Sequence, residues 1–214
     1  MNEDVIEYNH EIQKQELTPE QEASWVSQSD IKNVVDDLAT HAKMLYTKCS
    51  TGKLKPTDLQ DIQKYVLMAV SSGLYIPPRR LLDYCCFKIK NINKAEDNYL
   101  DKNTFVFNKF KTAKTYGPQT IEIPKELKAI IVKWIKINPT DYLFFDTNMN
   151  CLNSVKLNQR YNAIFGGKVS VNNFRHSYLT AKFGHTIAQK KDIAETMNEM
   201  GTSENMLTTY CKNI

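Results

Sequence analysis

The sequence lacks any apolar run close to the roughly 18 residues that a membrane-spanning helix requires. Its first residues, MNEDVIEYNHE, are acidic, whereas a secretory signal begins with a basic stretch followed by an apolar one. Glycine and proline are scarce, at seven residues each among 214, which excludes collagen-like and low-complexity chains. These absences predict a soluble intracellular protein. Its 214 residues are enough to bury one sizeable core or two small ones.

Cysteine is also sparse, and its spacing matches no known metal or disulfide pattern. The five cysteines, an odd number without CxxC spacing or paired histidines, are Cys49, Cys85, Cys86, Cys151 and Cys211. We therefore expect reduced thiols and neither a zinc site nor a disulfide framework. No carboxylate or histidine cluster has metal-ligand spacing either, so we expect no metal and no cofactor, and a metal-dependent nuclease is disfavoured.

Arginine is the rarest of the charged residues. Of 28 basic residues only four are arginine, namely Arg79, Arg80, Arg160 and Arg175. A chain that uses lysine almost everywhere is expected to keep arginine where a planar, bidentate fork is needed, so these positions are the first candidates for an anion site. A solvated basic turn is the alternative interpretation of Arg79 and Arg80 taken alone.

Charge is distributed unevenly along the chain. Residues 1–40 hold ten acidic residues against two lysines, and the remainder holds 26 basic against 14 acidic residues. We predict an acidic, flexible tail over residues 1–20 and one domain over residues 21–214. The basic body suits a polyanion such as nucleic acid, although a lysine-rich solvated surface has the same composition.

Helical periodicity dominates the pattern of apolar residues. It predicts helices over 29–47, 57–73 and 80–86, and then helices after Pro124, near 153–164, 172–183, 187–199 and 203–211. The segments 87–91, 104–108 and 119–123 alternate or are rich in β-branched and aromatic residues, so they predict strands. The expected fold is a mainly helical α+β domain with one small antiparallel sheet.

Three segments carry the candidate chemistry. They are SSGLYIPPRRLLDY at 71–84, FNKFKTAKTYGPQTIEIP at 107–124, and NNFRHSYLTAKFG at 172–184, the last followed by MGTSENMLTTY, which ends at Tyr210. Their order resembles the catalytic domain of the tyrosine recombinases, the phage-integrase family, which shares its active site with type IB topoisomerases. Arg80, with Asp83 three residues later, matches the family's G-x-R-x-x-E/D turn.

The other elements of that active site also have counterparts here. The family's hairpin lysine matches Lys111, with Lys114 as the alternative. Its second arginine matches Arg175, with His176 beside it as an auxiliary group. The family's nucleophile near the carboxyl end matches Tyr210. Arg79 adjoins this set, and Arg160 matches no motif, so we expect Arg160 at the surface or on a phosphate.

The resemblance implies cleavage and rejoining of double-stranded DNA through a 3′-phosphotyrosine, in site-specific recombination or DNA integration. It implies possible self-association on DNA, a location with DNA in the cell, and a reduced or missing N-terminal core-binding domain. The residue patterns PPRR…DY and KTAKTYG resemble those encoded by integrase-like genes of large DNA viruses and mobile elements. Residue chemistry fits such a reaction, since two guanidinium forks can hold the non-bridging oxygens and favour a nearby phenolate.

Two positions depart from the family pattern. Asn172 stands where the family has histidine or lysine, and Thr202 follows Gly201 where the family has histidine or tryptophan. His176 or His185 would have to compensate. The departures leave open a catalytically impaired DNA-binding or regulatory relative, and a topoisomerase-like nicking and closing activity is a further alternative.

Overall fold

The computed structural model describes residues 17–49, residue 52 and residues 54–207. In chain order the helices are α1 (Pro19–Ala23), α2 (Gln28–Cys49), α3 (Pro56–Ser71), α4 (Leu81–Tyr84), α5 (Ala113–Tyr116), α6 (Lys125–Ile137), α7 (Ser154–Phe165) and α8 (Val171–Glu199), followed by a 3-10 turn at Glu204–Met206. The strands are β1 (Tyr99–Asp101), β2 (Thr104–Phe107) and β3 (Gln119–Glu122). The expected mainly helical α+β class with a small antiparallel sheet is confirmed.

The core lies where three amphipathic helices meet. Helix α2 buries residues at helical spacing, such as Ile31 and Val35, against α3, whose buried face includes Val66. Helix α6 packs on α3 and buries Trp134, whose indole N–H donates a 2.8 Å hydrogen bond to the carbonyl of Leu143. The predicted helices over 29–47 and 57–73 are therefore confirmed, because their apolar spacing is what the packing uses.

The sheet differs from the expected one in its first strand. Strands β2 and β3 pair antiparallel as predicted, with Phe107 opposite Gln119. The predicted strand at 87–91 is wrong, because Lys88 forms only isolated bridges to Tyr99 and Tyr142. Its backbone bonds are divided between two neighbours, so no ladder develops there, and the short β1 takes the third place in the sheet.

The expected break between two late helices does not occur. One helix, α8, runs without interruption through Gly184. A glycine inside an exposed helix costs about 1 kcal/mol relative to alanine, which is too little to end a helix by itself. A further helix is predicted over 203–211, of which the structure describes only residues 203–207. Within them Glu204–Met206 form a short 3-10 turn.

The expectation that all thiols are reduced is also wrong. Cys86 and Cys151, 65 positions apart in the sequence, form a disulfide with Cα atoms 4.8 Å apart. It joins the segment after α4 to the segment before α7. Cys49 and Cys85 carry free thiols.

The division into an acidic tail and one domain stays a prediction. Residues 1–16 lie outside the described residues, and helix α1 already begins at Pro19. Within the described residues no helix has the length and hydropathy needed to cross a membrane.

Candidate functional site

An open cleft brings together three segments that the sequence singled out. Its volume is about 290 Å³. The side chains lining it that matter here are Arg79, Arg80 and Asp83 from the turn before and within α4, Phe110, Tyr116 and Gln119 from the β2–β3 connection and β3, and Arg175 from α8. The lining residues include three guanidinium groups and one carboxylate. The cleft therefore carries a positive charge, which favours binding of an anion.

Helix α4 is preceded by a rigid turn, which we call the arginine turn (residues 77–80). Two consecutive prolines fix its first φ angles. The backbone N–H of Arg79 donates a 2.8 Å hydrogen bond to the hydroxyl of Tyr84, and the N–H of Asp83 donates to the carbonyl of Arg80 at 3.0 Å. Tyr84 is fully buried, which raises the pKa of its phenol and keeps it neutral.

The ion pair at the turn is not the one that the resemblance pairs. The resemblance matches Asp83 with Arg80, but the Nε of Arg79 donates to Oδ2 of Asp83 at 2.8 Å. Burial raises the pKa of Asp83, while the charges of Arg79 and, further away, Arg80 act in the opposite direction. Asp83 Oδ1 is buried without a hydrogen-bond partner in the described part of the chain.

Arg80 and Arg175 are the guanidinium groups left available in the cleft. Both are half-buried, and within residues 17–49, 52 and 54–207 neither forms a side-chain hydrogen bond or ion pair. Two unpaired guanidinium groups on one open cleft can bind a phosphate through bidentate, charge-assisted hydrogen bonds.

The start of helix α8 holds Arg175 in position. Ser170 and Asn173 form a capping box, and the Asn173 amide also donates to the carbonyl of Ser24 at 2.9 Å. The next residue, Phe174, is fully buried and packs edge-on against Tyr161 with ring centroids 5.2 Å apart. These contacts of Asn173 and Phe174 fix the first turn of α8, so that Arg175 lines the cleft.

The two candidate lysines lie on the loop next to the cleft. Lys111 is in the turn before α5 and Lys114 is on α5, and both side chains are exposed. Neither lines the cleft, whereas their loop neighbours Phe110 and Tyr116 do. The choice between Lys111 and Lys114 therefore stays open.

The auxiliary candidates are not gathered at the cleft. Asn172, His176 and His185 are exposed on α8, and none of them lines the cleft. The backbone N–H of Thr202 donates to the carbonyl of Met197 at 2.9 Å beyond the end of that helix. Tyr210, the candidate nucleophile, lies outside the described residues.

The expectation for Arg160 is wrong. Its guanidinium is half-buried and donates to the side-chain carbonyl of Gln60 and, at 2.9 Å, to the backbone carbonyl of Phe145. Burial lowers the pKa of Arg160, partly offset by the charge of Asp146. This arginine joins α3, α7 and the loop between α6 and α7, so its role is structural.

Sequence reasoning missed two residues that shape the cleft. Gln119 accepts a 2.8 Å hydrogen bond from Nη1 of Arg79, and Tyr116 places an exposed phenol at the same site. Both lie in the 107–124 segment, where the resemblance assigns a role only to a lysine. The Gly-Pro pair between them was the available signal, since it marks the point where the loop returns to the sheet.

No set of three or more His, Cys, Asp or Glu side chains within the described residues is placed to hold a metal ion.

The chain is similar to a solved structure. It is described as the crystal structure of XerA recombinase, with 13% sequence identity and a TM-score of 0.49, over 74% of this chain and 50% of that one. The chain therefore spans about half the length of that protein. No protein-family model matches the sequence, and no curated protein matches it.

Proposed function

We propose that this chain binds double-stranded DNA and cleaves and rejoins its strands through a covalent 3′-phosphotyrosine on Tyr210. The observation that carries the proposal is the cleft in which Arg80 and Arg175, from distant parts of the chain, stand free of protein partners within the described residues. The order of the sequence motifs supports the same reaction.

The reaction needs an in-line nucleophile, charge neutralisation and a proton for the leaving group. The Tyr210 oxygen attacks phosphorus, the bond from phosphorus to the 5′ oxygen breaks, and the phenolic proton passes to solvent. Lys111 or Lys114 gives its proton to the departing 5′ oxygen. One phosphoester bond replaces another, so a 5′-hydroxyl can reverse the step without an external energy source.

Arg80 and Arg175 would neutralise the charge that grows on the non-bridging oxygens. A guanidinium offers two parallel N–H donors to such oxygens, whereas an ammonium acts as a point charge. The basic excess of the chain after residue 40 would supply sequence-independent, salt-sensitive affinity for the DNA backbone. Recombination would further require self-association on DNA, in whichever compartment holds the target.

A second candidate function is DNA binding without cleavage. It is favoured by Asn172, which offers no proton acceptor at neutral pH, and by the exposure of His176 away from the cleft lining. On this alternative the arginines bind a phosphate but no covalent intermediate forms.

The test is incubation with nicked suicide duplexes, from which the cleaved strand fragment diffuses away and traps any covalent product. We expect an adduct with the wild-type chain and none with Tyr210→Phe. Tyr116→Phe is the matched control, because Tyr116 is the exposed phenol already at the cleft. An adduct that survives Tyr210→Phe and disappears with Tyr116→Phe contradicts the assignment of the nucleophile.

Absence of any adduct despite intact duplex binding favours the second candidate. When an adduct forms, relaxation of a supercoiled plasmid without exchange between two sites identifies a topoisomerase-like activity, and exchange identifies recombination.

A further inference from the structure

Arg79 has a set of contacts that the proposed reaction does not use. Its Nε donates to Asp83 and its Nη1 to Gln119, each at 2.8 Å. The guanidinium carbon also lies 4.0 Å from the centroid of the Phe107 ring and 5.0 Å from that of Phe110. The side chain is 14% exposed, so little of it is left to reach a ligand.

Two of these contacts, with Gln119 and Phe107, lie at the same end of the sheet. Phe107 is the last residue of β2, Gln119 is the first of β3, and the two are register partners. Their cross-strand pair closes the base of the loop that carries Lys111 and Lys114. Arg79 therefore contacts both residues at the base of the lysine loop (residues 108–118), Gln119 through a hydrogen bond and Phe107 through its ring.

The other end of the connection is the arginine turn. Arg79 precedes Arg80, and its backbone N–H is held by Tyr84. Any displacement of the loop base relative to the turn must break the Gln119 bond or the stacking on Phe107. The Asp83 carboxylate forms its ion pair with Arg79, whereas Arg80 and Arg175 form no ion pair in the part of the chain that the structure describes.

We propose that Arg79 is a positioning residue that locks the lysine loop to the arginine turn, so that the general-acid lysine and Arg80 meet one phosphate together. The inference rests on the proposed function of the cleft. It differs from a direct phosphate contact, which the adjacency of two arginines would otherwise indicate.

Arginine is the residue type that this position requires. One planar group must donate in two directions while it lies over an aromatic ring, and lysine has neither the fork nor the planar group. Lys128 on α6 is exposed and its side chain forms no hydrogen bond or ion pair with the described residues, so it provides a control for loss of a positive charge elsewhere.

The first test needs no DNA. Hydrogen exchange of the full chain is compared for wild type, Arg79→Met, Gln119→Leu and Lys128→Met. We expect Arg79→Met and Gln119→Leu to speed exchange in residues 104–122 by roughly tenfold or more, as for loss of a charge-assisted hydrogen bond. Lys128→Met should leave that region unchanged. Unchanged exchange in the hairpin, or an equal increase throughout the chain, overturns the proposal.

The second test measures the affinity for a fluorescein-labelled duplex between about 50 and 200 mM salt. The slope of log affinity against log salt is negative for a DNA-binding protein, and Arg80→Met should reduce its magnitude by about 1, as for one lost phosphate contact. Arg79→Met should keep the wild-type slope. A slope lowered as much as in Arg80→Met means that Arg79 binds phosphate itself and overturns the positioning role.

The third test is rescue. Arg79→Lys combined with Gln119→Glu replaces the charge-assisted hydrogen bond by an ion pair across the same gap. We expect the double variant to restore slow hairpin exchange that Arg79→Lys alone loses, and no rescue counts against the connection. If the wild-type chain binds no duplex, the proposed function fails, and exchange with rescue still decides the role of Arg79.

Discussion

Gly73 lies directly against the ring of Tyr178. A Cβ placed on Gly73 would be 3.0 Å from Cδ2 of Tyr178 and 3.4 Å from Cδ of Pro78. The glycine has φ +92°, in the region that side chains rarely adopt. Gly73 follows α3, Pro78 belongs to the arginine turn and Tyr178 lies on α8, so the contact packs these three segments together. Arg80 and Arg175 therefore line the same cleft.

Gly73→Ala should therefore destabilise the chain through both strain and collision. We expect a loss of about 2–3 kcal/mol in the free energy of unfolding, measured by urea denaturation. Gly166→Ala is the matched control, because Gly166 has φ +67° but nothing within 4 Å of a Cβ. Its cost should stay at about 1 kcal/mol, that of a left-handed alanine alone. Equal costs for the two variants would contradict the contact with Tyr178.

Arg160→Lys should lower stability and leave DNA binding unchanged. The lysine cannot donate at once to Gln60 and to the carbonyl of Phe145, so we expect a loss of about 1–3 kcal/mol in urea unfolding. The duplex affinity of the folded variant and its salt slope should equal those of wild type. A salt dependence weaker than that of wild type would show that Arg160 contacts phosphate, which is one of the two alternatives that the sequence leaves open.

Most helices were predictable because their stability comes from an apolar face that the sequence displays. Residues such as Ile31, Val35 and Val66 recur at helical spacing and are the buried ones. Strand β1 was missed because its three residues, Tyr99 to Asp101, show no alternation long enough to detect. It is a strand only because β2 lies beside it.

The candidate site was predictable in its segments but not in its pairing. The sequence allows Asp83 to bind Arg79 at a spacing of four or Arg80 at a spacing of three. Asp83 pairs with Arg79 because the same guanidinium also contacts Phe107 and Gln119. These two residues are distant in the sequence, so the pairing depends on the tertiary structure. The disulfide was unpredictable for a similar reason, since a separation of 65 residues carries no local signal.

Reduction of the disulfide between Cys86 and Cys151 should lower stability. Cross-linking across this separation removes conformational freedom from the unfolded chain worth up to about 4 kcal/mol. We expect the double variant Cys86→Ser/Cys151→Ser and the reduced wild type to share one lowered urea midpoint. Cys49→Ser is the control and should keep the midpoint of the oxidised wild type. A non-reducing digest without a linked Cys86–Cys151 peptide would contradict the pairing.

The general-acid lysine should be revealed by a substrate that does not need it. We expect Lys111→Ala to slow covalent adduct formation by about 100-fold or more, in the range found for general acids. A duplex with a bridging 5′ sulfur should restore the rate, because a thiolate, with an ordinary pKa of about 8.5, leaves without a proton. Lys114→Ala is the comparison on the same loop. Sulfur rescue of Lys114→Ala instead would assign the acid to Lys114.

Arg80→Lys and Arg175→Lys should separate geometry from charge. Each keeps the positive charge of the cleft but loses the fork that binds two phosphate oxygens, so binding and cleavage should respond differently. We expect adduct formation to fall by roughly 10- to 100-fold, the equivalent of one charge-assisted hydrogen bond, while duplex affinity changes less than threefold. Single-turnover adduct rates and fluorescence anisotropy measure the two quantities. Because neither guanidinium is paired within the described residues, the unfolding free energy should stay near that of wild type. A rate and an affinity that both stay at the wild-type values would show that charge alone matters, and equal losses of the two would show that the fork acts in binding rather than in cleavage.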